Sequence, residues 1–429
     1  MLCNISRDFE SEARRILSLL CYSSRPLSID EVTEAIAVDV DVLQCYDPDS
    51  KMAGVDDLLR ICSGLIDFSL TRDIDGNSIS EDDHSQDDNE TSSIALVRIG
   101  HFSVQEYLTS PRIRDSGAKA FALSSSAEHA QITKTCLLYL DNDNFVGQTL
   151  TLELVQNYSL AQYAAKYWPD HYRKADKQLV KPLTQLIAAY LMTSRTYDRW
   201  IRLHDPDRWW DDKIQYDDNG QDPAAATYYI ALLGLEDVLA YVLSTAAVNV
   251  NAQGGDYGTA LQAASAKGHE SVVQMLLDKG AEVNAQGGSY GNALQAASKG
   301  GHEKVLRMLL DTGADVNAQG GRYGNALHAV LEGGHEKVVQ MLLEKGADVN
   351  AQGGWYGNAL QAASVGGHEK VVQMLLDKGA DVNAQGGRYG NALQAALKGG
   401  HEKVVQMLLD KGADVSGHGK RHDHRVQLA

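Results

Sequence analysis

The sequence predicts a mainly helical protein: a stacked repeat solenoid, preceded by a small three-helix domain with a two-stranded sheet and by a helical connector. Three observations carry that expectation. The words N-A-Q-G-G-x-Y-G begin at Asn251, Asn284, Asn317, Asn350 and Asn383, each 33 residues after the last. A fixed period of this length marks an array in which no unit buries its apolar face alone and stacking supplies the core. Upstream, helical apolar periodicity gives way to two β-like runs and then resumes. Finally, 429 residues with 44% hydrophobic and 22% charged content are too many for one core and too apolar for global disorder.

The net charge of −18 is unevenly placed. Residues 251–415 hold 14 Lys and Arg against 17 Asp and Glu, the tail from Ser416 is +2, and residues 1–250 carry −17. Such a balance argues against general affinity for nucleic acid or an anionic membrane. Five cysteines (Cys3, Cys21, Cys45, Cys62, Cys136) show no C-x-x-C pairing and read as reduced thiols. The N-terminus MLCNISRDFESEARR is no secretory signal, and no run of 18 uncharged apolar residues predicts a membrane span. The expectation is a cytoplasmic chain, with the nucleus also open to it.

Residues 1–120 are read as one domain. Phe9, Ala13, Ile16, Leu17, Leu19 and Leu20 form one face of a first helix. Ser28 caps a second helix that runs to about Ala37, and Val55–Cys62 forms a third. Runs 64–70 and 94–102 read as strands, separated by the acidic stretch 73–93, a solvated loop by composition. A faint calcium-loop pattern at Asp73, Asp75 and Asn77 fails, because Gly76 sits too early and no helix frames it. A further helix starts at Ser103. Three helices and a two-stranded wing make a winged helix. DNA reading by it is disfavoured, since residues 29–40 carry Asp30, Glu31, Glu34 and Asp39 but no Lys or Arg.

The phrases RRILSLLCYSSRPLSIDEVTEAI (14–36) and IGHFSVQEYL (99–108) are similar to the winged helix that follows the NACHT domain in fungal NACHT–ankyrin proteins. That segment also goes by the name of the inositol-deacylase winged helix, which brings no catalytic residues here. LAQYAAKYWPDH (160–171) resembles the connector of those proteins, and 121–223 is read as that helical connector.

Within one repeat, Asn292 caps a short helix over Ala293–Ala297, which Gly300 and Gly301 break. Val305, Leu306, Met308, Leu309 and Leu310 mark a second, more buried helix that Gly313 ends. A turn-rich hairpin over 315–321 leads to the next unit. Helix, tight turn, helix and hairpin at this period resemble the ankyrin repeat. The usual T-P-L-H start of that repeat appears as T-A-L-Q at Thr259–Gln262, N-A-L-H at Asn325–His328 and N-A-L-Q in the other three. A worn unit over Tyr229–Leu243 precedes the five regular ones, so 224–415 is read as six repeats.

The copies differ at few places. The residue before Tyr-Gly at the hairpin tip is Asp256, Ser289, Arg322, Trp355 or Arg388. Before the Gly-His break stand Lys267, Lys299, Glu332, Val365 and Lys398. By resemblance these positions line a concave partner-binding face. Trp355 between Arg322 and Arg388 is the most hot-spot-like group, since Trp and Arg dominate interface energetics. The competing reading is that exposed tips drift because nothing packs on them. His269, His302, His335, His368 and His401 recur once per repeat, too far apart to share an ion, and are expected to bond the adjoining turn. The tail 416–429, with His418, His422 and His424, reads as a disordered end. No polar capping unit follows Val415, which predicts an apolar end prone to self-association.

No G-x-x-x-x-G-K-[ST] and no G-x-S-x-G occurs, so nucleotide or ester hydrolysis is not expected, and no cofactor or metal is implied. The sequence predicts a non-enzymatic interaction scaffold of the fungal NLR-like kind, bound to a protein partner. Its alternatives are the carboxyl part of a nucleotide-dependent NACHT switch and a winged-helix transcription regulator.

Overall fold

The computed structural model describes residues 2–40, 46, 51–52, 54–71, 94–208, 210–211, 213–216, 223–331 and 333–415. The acidic stretch 73–93, the tail 416–429 and Glu332 lie outside the described residues. The chain divides into two compact units, Met1–Asp222 and Pro223–Ala429.

The first unit opens with α1 (Glu10–Tyr22), β1 (Leu27–Ser28), α2 (Ile29–Ile36), α3 (Val55–Cys62), β2 (Ile66–Thr71), β3 (Ile94–Ile99) and α4 (Phe102–Thr109). Ser28 caps α2 in a reciprocal box. Its hydroxyl accepts the Glu31 N–H at 3.1 Å, and the Glu31 carboxylate accepts the Ser28 N–H at 2.7 Å. The sheet has three antiparallel strands in the order β1-β3-β2, not two. Its extra strand, two residues paired with Val97 and Leu96, is too short to leave a period in sequence. His101 and Phe102, read as strand ends, instead start α4, where the His101 ring accepts the Ser103 N–H at 3.2 Å.

Six helices complete this unit: α5 (Ser125–Leu140), α6 (Asp143–Val146), α7 (Leu152–Asn157), α8 (Ala161–Lys174), α9 (Lys177–Met192) and α10 (Ser194–Leu203). Buried polar groups tie them to the winged helix. Glu34, fully buried, accepts from the Tyr139 hydroxyl at 2.5 Å, the Leu160 N–H at 3.0 Å and Lys51 Nζ at 2.9 Å. Glu128 pairs with Arg14 and accepts from Ser18 at 2.7 Å. The Ser24 N–H reaches the Tyr163 hydroxyl at 3.0 Å, and that hydroxyl lies 2.9 Å from His171 Nε2. His171 Nδ1 in turn meets His129 Nδ1 at 2.8 Å.

The second unit repeats one pair of helices. First helices are α11 (Ala226–Leu232), α13 (Ala260–Lys267), α15 (Ala293–Gly300), α17 (Ala326–Leu331), α19 (Ala359–Val365) and α21 (Ala392–Gly399). Second helices are α12 (Glu236–Thr245), α14 (Glu270–Asp278), α16 (Glu303–Asp311), α18 (Glu336–Glu344), α20 (Glu369–Asp377) and α22 (Glu402–Asp410). The side chain at the cap position holds each regular first helix: Asn292 Oδ1 accepts the Gln295 N–H at 2.9 Å, and Thr259 does the same for Gln262 at 3.3 Å. The loss of Pro and His from the T-P-L-H start therefore leaves the cap intact.

Small side chains (Ala-Leu-Gln-Ala-Ala-Ser) let the body of a first helix be buried on all sides, as at Ala293–Ser298. Second helices bury one stripe, such as Val305, Leu306 and Leu309, and show polar residues elsewhere.

Polar ladders lock one repeat to the next. Asn284 Oδ1 accepts the Asp315 N–H at 2.8 Å while its Nδ2 donates to the Gly313 carbonyl at 3.0 Å. Asn251, Asn317, Asn350 and Asn383 each make the same pair of bonds one repeat along. At about 1 kcal/mol per bond, this ladder stabilises the loops that carry the hairpins. His302 Nε2 donates to the Ala266 carbonyl at 3.0 Å, and His269 and His401 reach back to Leu232 and Val365 in the same way. The turn they bond belongs to the preceding repeat. Ion pairs along the second helices, such as Lys304 with Glu270 at 3.1 Å, are exposed and contribute little.

Candidate partner-binding surface

The hairpins owe their shape to glycine. Gly288 has φ of 61°, and a Cβ there would lie 2.1 Å from the carbonyl carbon of Tyr257 in the preceding hairpin, so no other residue fits. At three of the four steps between regular repeats the hairpins pack backbone to backbone as a result. The Ser289 N–H donates to Asp256 at 2.8 Å, Arg322 to Ser289 at 3.1 Å and Arg388 to Trp355 at 3.4 Å. This packing brings Asp256, Ser289, Arg322, Trp355 and Arg388 into one exposed row at the hairpin tips.

Of the second set, Lys267 and Lys398 are exposed at the ends of their first helices, Lys299 and Val365 are half-buried, and Glu332 lies outside the described residues. Because the rest of α13, α15 and α19 is almost wholly buried, these last turns and the tips are what those repeats offer on this side. Trp355 is 64% exposed, a large apolar side chain left in solvent.

A second row was missed. The tyrosines that follow the tip residues stack along the array: Tyr257 on Tyr290 at 5.4 Å, Tyr290 on Tyr323 at 5.7 Å, and Tyr356 on Tyr389 at 6.3 Å between centroids. Cations cover this aromatic row. Lys267 lies over Tyr257 at 5.5 Å, Lys299 over Tyr323 at 5.7 Å, Arg322 over Tyr323 at 4.7 Å, and Arg388 over Trp355 at 5.3 Å. A comparison that looks for differences among copies passes over a tyrosine present in all of them. Its signal was the N-A-Q-G-G-x-Y-G phrase itself.

His328 was also passed over. It stands where the other four regular repeats have Gln, with Nδ1 3.2 Å from the Tyr323 carbonyl and Nε2 3.2 Å from that of Ala351. Burial lowers its pKa from the ordinary histidine value, against the raising effect of those two carbonyls.

The described cysteines Cys3, Cys21, Cys62 and Cys136 are free thiols, and burial pushes Cys21, Cys62 and Cys136 up to about 12. Thiols held neutral are poor nucleophiles. Among the described residues, no helix is long and apolar enough to cross a membrane.

Comparison with known proteins agrees with these two units. The family model for ankyrin repeats matches in three copies, over residues 228–320, 287–353 and 327–418. That for the GPI inositol-deacylase winged helix domain matches residues 1–75.

The chain carries a winged helix of this type and, after it, an ankyrin-repeat array.

Its ankyrin repeats make it a protein–protein interaction scaffold, a fold that is typically non-enzymatic. A fungal relative, "Azaphilone pigments biosynthesis cluster protein L" of Monascus ruber, is 40% identical over 292 residues, which cover 66% of this chain. The match spans 58% of that relative's length. An N-terminal winged helix followed by ankyrin repeats is the domain order that the sequence resemblance implies. Among solved structures, the human ASB11 ankyrin repeat domain is 25% identical, with a TM-score of 0.40, over 44% of this chain and 85% of that one.

Proposed function

We infer that this winged-helix ankyrin-repeat protein is an adaptor in fungal NLR-like signalling or recognition, working in the cytoplasm, that holds a protein partner on the concave ankyrin face. The observation that carries the reading is the exposed row Arg322–Trp355–Arg388 lying beside a tyrosine stack. An exposed Trp with an Arg laid on its ring is the kind of anchor that dominates protein interfaces. Affinity capture from a fungal extract compares the intact chain with the double variant Trp355→Ala/Arg388→Ala. The variant is expected to lose partners at least about tenfold, the size of one hot-spot contact. Retention of every partner would remove the tips from the interface.

A protein partner is favoured over a DNA duplex by the winged helix itself. Residues 31–36 of α2 are buried, so this helix offers no face to a duplex. The name of the fungal relative favours a second reading, in which the partner belongs to pigment biosynthesis. The identity of the captured proteins separates the two.

Self-association through the last repeat is part of the same proposal. The position of Leu397 is filled by Ser265, Ser298, Leu331 and Ser364 in the other regular repeats, all 0–1% exposed, whereas Leu397 is 60% exposed. Leu409 and Val415, farther along the same repeat, are exposed too. Sedimentation of the intact chain is expected to show a concentration-dependent dimer that Leu397→Glu abolishes. A monomer at all concentrations, or a dimer indifferent to Leu397→Glu, would rule this contact out.

A further inference from the structure

The array is not evenly spaced, and the exception lies at the candidate surface. A Cβ built on Gly288, Gly321 or Gly387 would lie 2.1, 2.3 and 2.3 Å from the tyrosine carbonyl carbon of the preceding hairpin. On Gly354 the same distance, to Tyr323, is 3.2 Å. Hairpins 317–324 and 350–357 therefore stand farther apart than their neighbours do.

A wedge fills part of the step. The His328 ring lies between the two hairpins, 3.5 Å from a Cβ position on Gly324 and 3.6 Å from that on Gly354. The opened step forms a cleft of about 330 Å³, bounded by Arg322, Tyr323, His328, Trp355 and Tyr356.

The lining defines the occupant. A volume near the lower limit for ligand sites suits one side chain better than a cofactor. Three aromatic rings give flat apolar walls, which favour an aromatic guest in stacked or edge-on geometry. Among the described residues no carboxylate lines the cleft, whereas Arg322 is in its wall and Arg388 lies over the neighbouring Trp355 ring. Cations at the mouth favour carboxylates beside the guest and disfavour lysines there.

The geometry points to this cleft as the specificity pocket of the array: it takes an aromatic side chain presented by an acidic segment of a partner protein. This deepens the scaffold reading and rests on it. The aromatic guest enters between the Tyr323 and Tyr356 hairpins, and the acids flanking it meet Arg322 and Arg388.

The test uses the full chain and three fluorescein-labelled peptides read by anisotropy. One carries tryptophan between runs of glutamate, the second alanine in place of the tryptophan, and the third lysine in place of the glutamates. The acidic tryptophan peptide is expected to bind saturably, at least about tenfold tighter than either of the others. Arg322→Ala and Trp355→Ala should each weaken it about tenfold. His328→Gln restores the residue found at this step in the other regular repeats, folds by the same bonds, and is expected to close the cleft and weaken binding equally. Lys304→Ala, on a second helix, should leave it unchanged.

Equal binding of the acidic tryptophan and alanine peptides, absence of saturable binding, or indifference to both His328→Gln and Trp355→Ala would overturn the proposal. If the peptides fail while Trp355→Ala/Arg388→Ala still loses captured partners, the scaffold reading stands and the pocket chemistry falls.

Discussion

Glu34→Ala is expected to destabilise the first unit by about 3–5 kcal/mol, the cost of stripping one partner from a buried charged network. Glu34 lies in α2, and its carboxylate is the acceptor for the Tyr139 hydroxyl in α5, the Leu160 N–H before α8 and Lys51 Nζ. Alanine leaves a buried hydroxyl and a buried N–H without an acceptor and a half-buried ammonium without its nearer counter-charge. Glu34→Gln keeps the shape and one acceptor, so its loss should be smaller. Chemical denaturation followed through tryptophan fluorescence reads this unit, because Trp168 and Trp200 are fully buried in it. A loss under about 1 kcal/mol for the alanine variant would show that the network is not what joins the winged helix to the connector helices.

Acid should weaken the same unit through His171. Burial, then the neighbouring His129 and Lys174, lower its pKa from 6.5 to about 3. His129 is lowered too, by burial first and then Lys174, with Glu128 opposing. The Nδ1–Nδ1 contact between the two rings has room for one proton, and a second there would set two N–H groups against each other. In the unfolded chain His171 protonates near 6.5, so between that pH and about 3 the unfolded state binds the more protons. The contribution of His171 is thus complete above about pH 6.5 and is lost progressively as pH falls toward 3. At about 1.4 kcal/mol per pH unit, lowering the pH to about 5 removes roughly 2 kcal/mol. Denaturation midpoints of the intact chain and of His171→Gln, measured at both pH values, isolate this term. The variant should lose less on acidification, and an identical loss in both chains would contradict the assignment.

These two effects were not legible in the sequence, and the reason is distance along the chain. Glu34 and Tyr139 are 105 residues apart, Arg14 and Glu128 114, and His129 and His171 42, so no local pattern links them. The acids of α2 were read as a face that would repel DNA. Glu31 and Glu34 are instead buried and bonded, and the helix is unavailable to a duplex for that reason as well. The repeats were legible almost completely, because a bond from Asn284 to Asp315 is a bond between neighbouring copies of one phrase. Caps, breaks and the exposed tips all follow from residues within one period. What periodicity hides is departure from it. His328 shows in sequence as one changed letter, and its consequence, a wider step between two hairpins, exists only once both hairpins are placed.

The account centres on hairpin tips and first-helix ends as the partner-binding face, and hydrogen exchange of the intact chain with and without a captured partner tests it most directly. Protection is predicted at 317–324 and 350–357 and at the ends of α15 and α19, with α16, α18 and α20 unchanged. Protection confined to those second helices, or to residues 1–222, would contradict it.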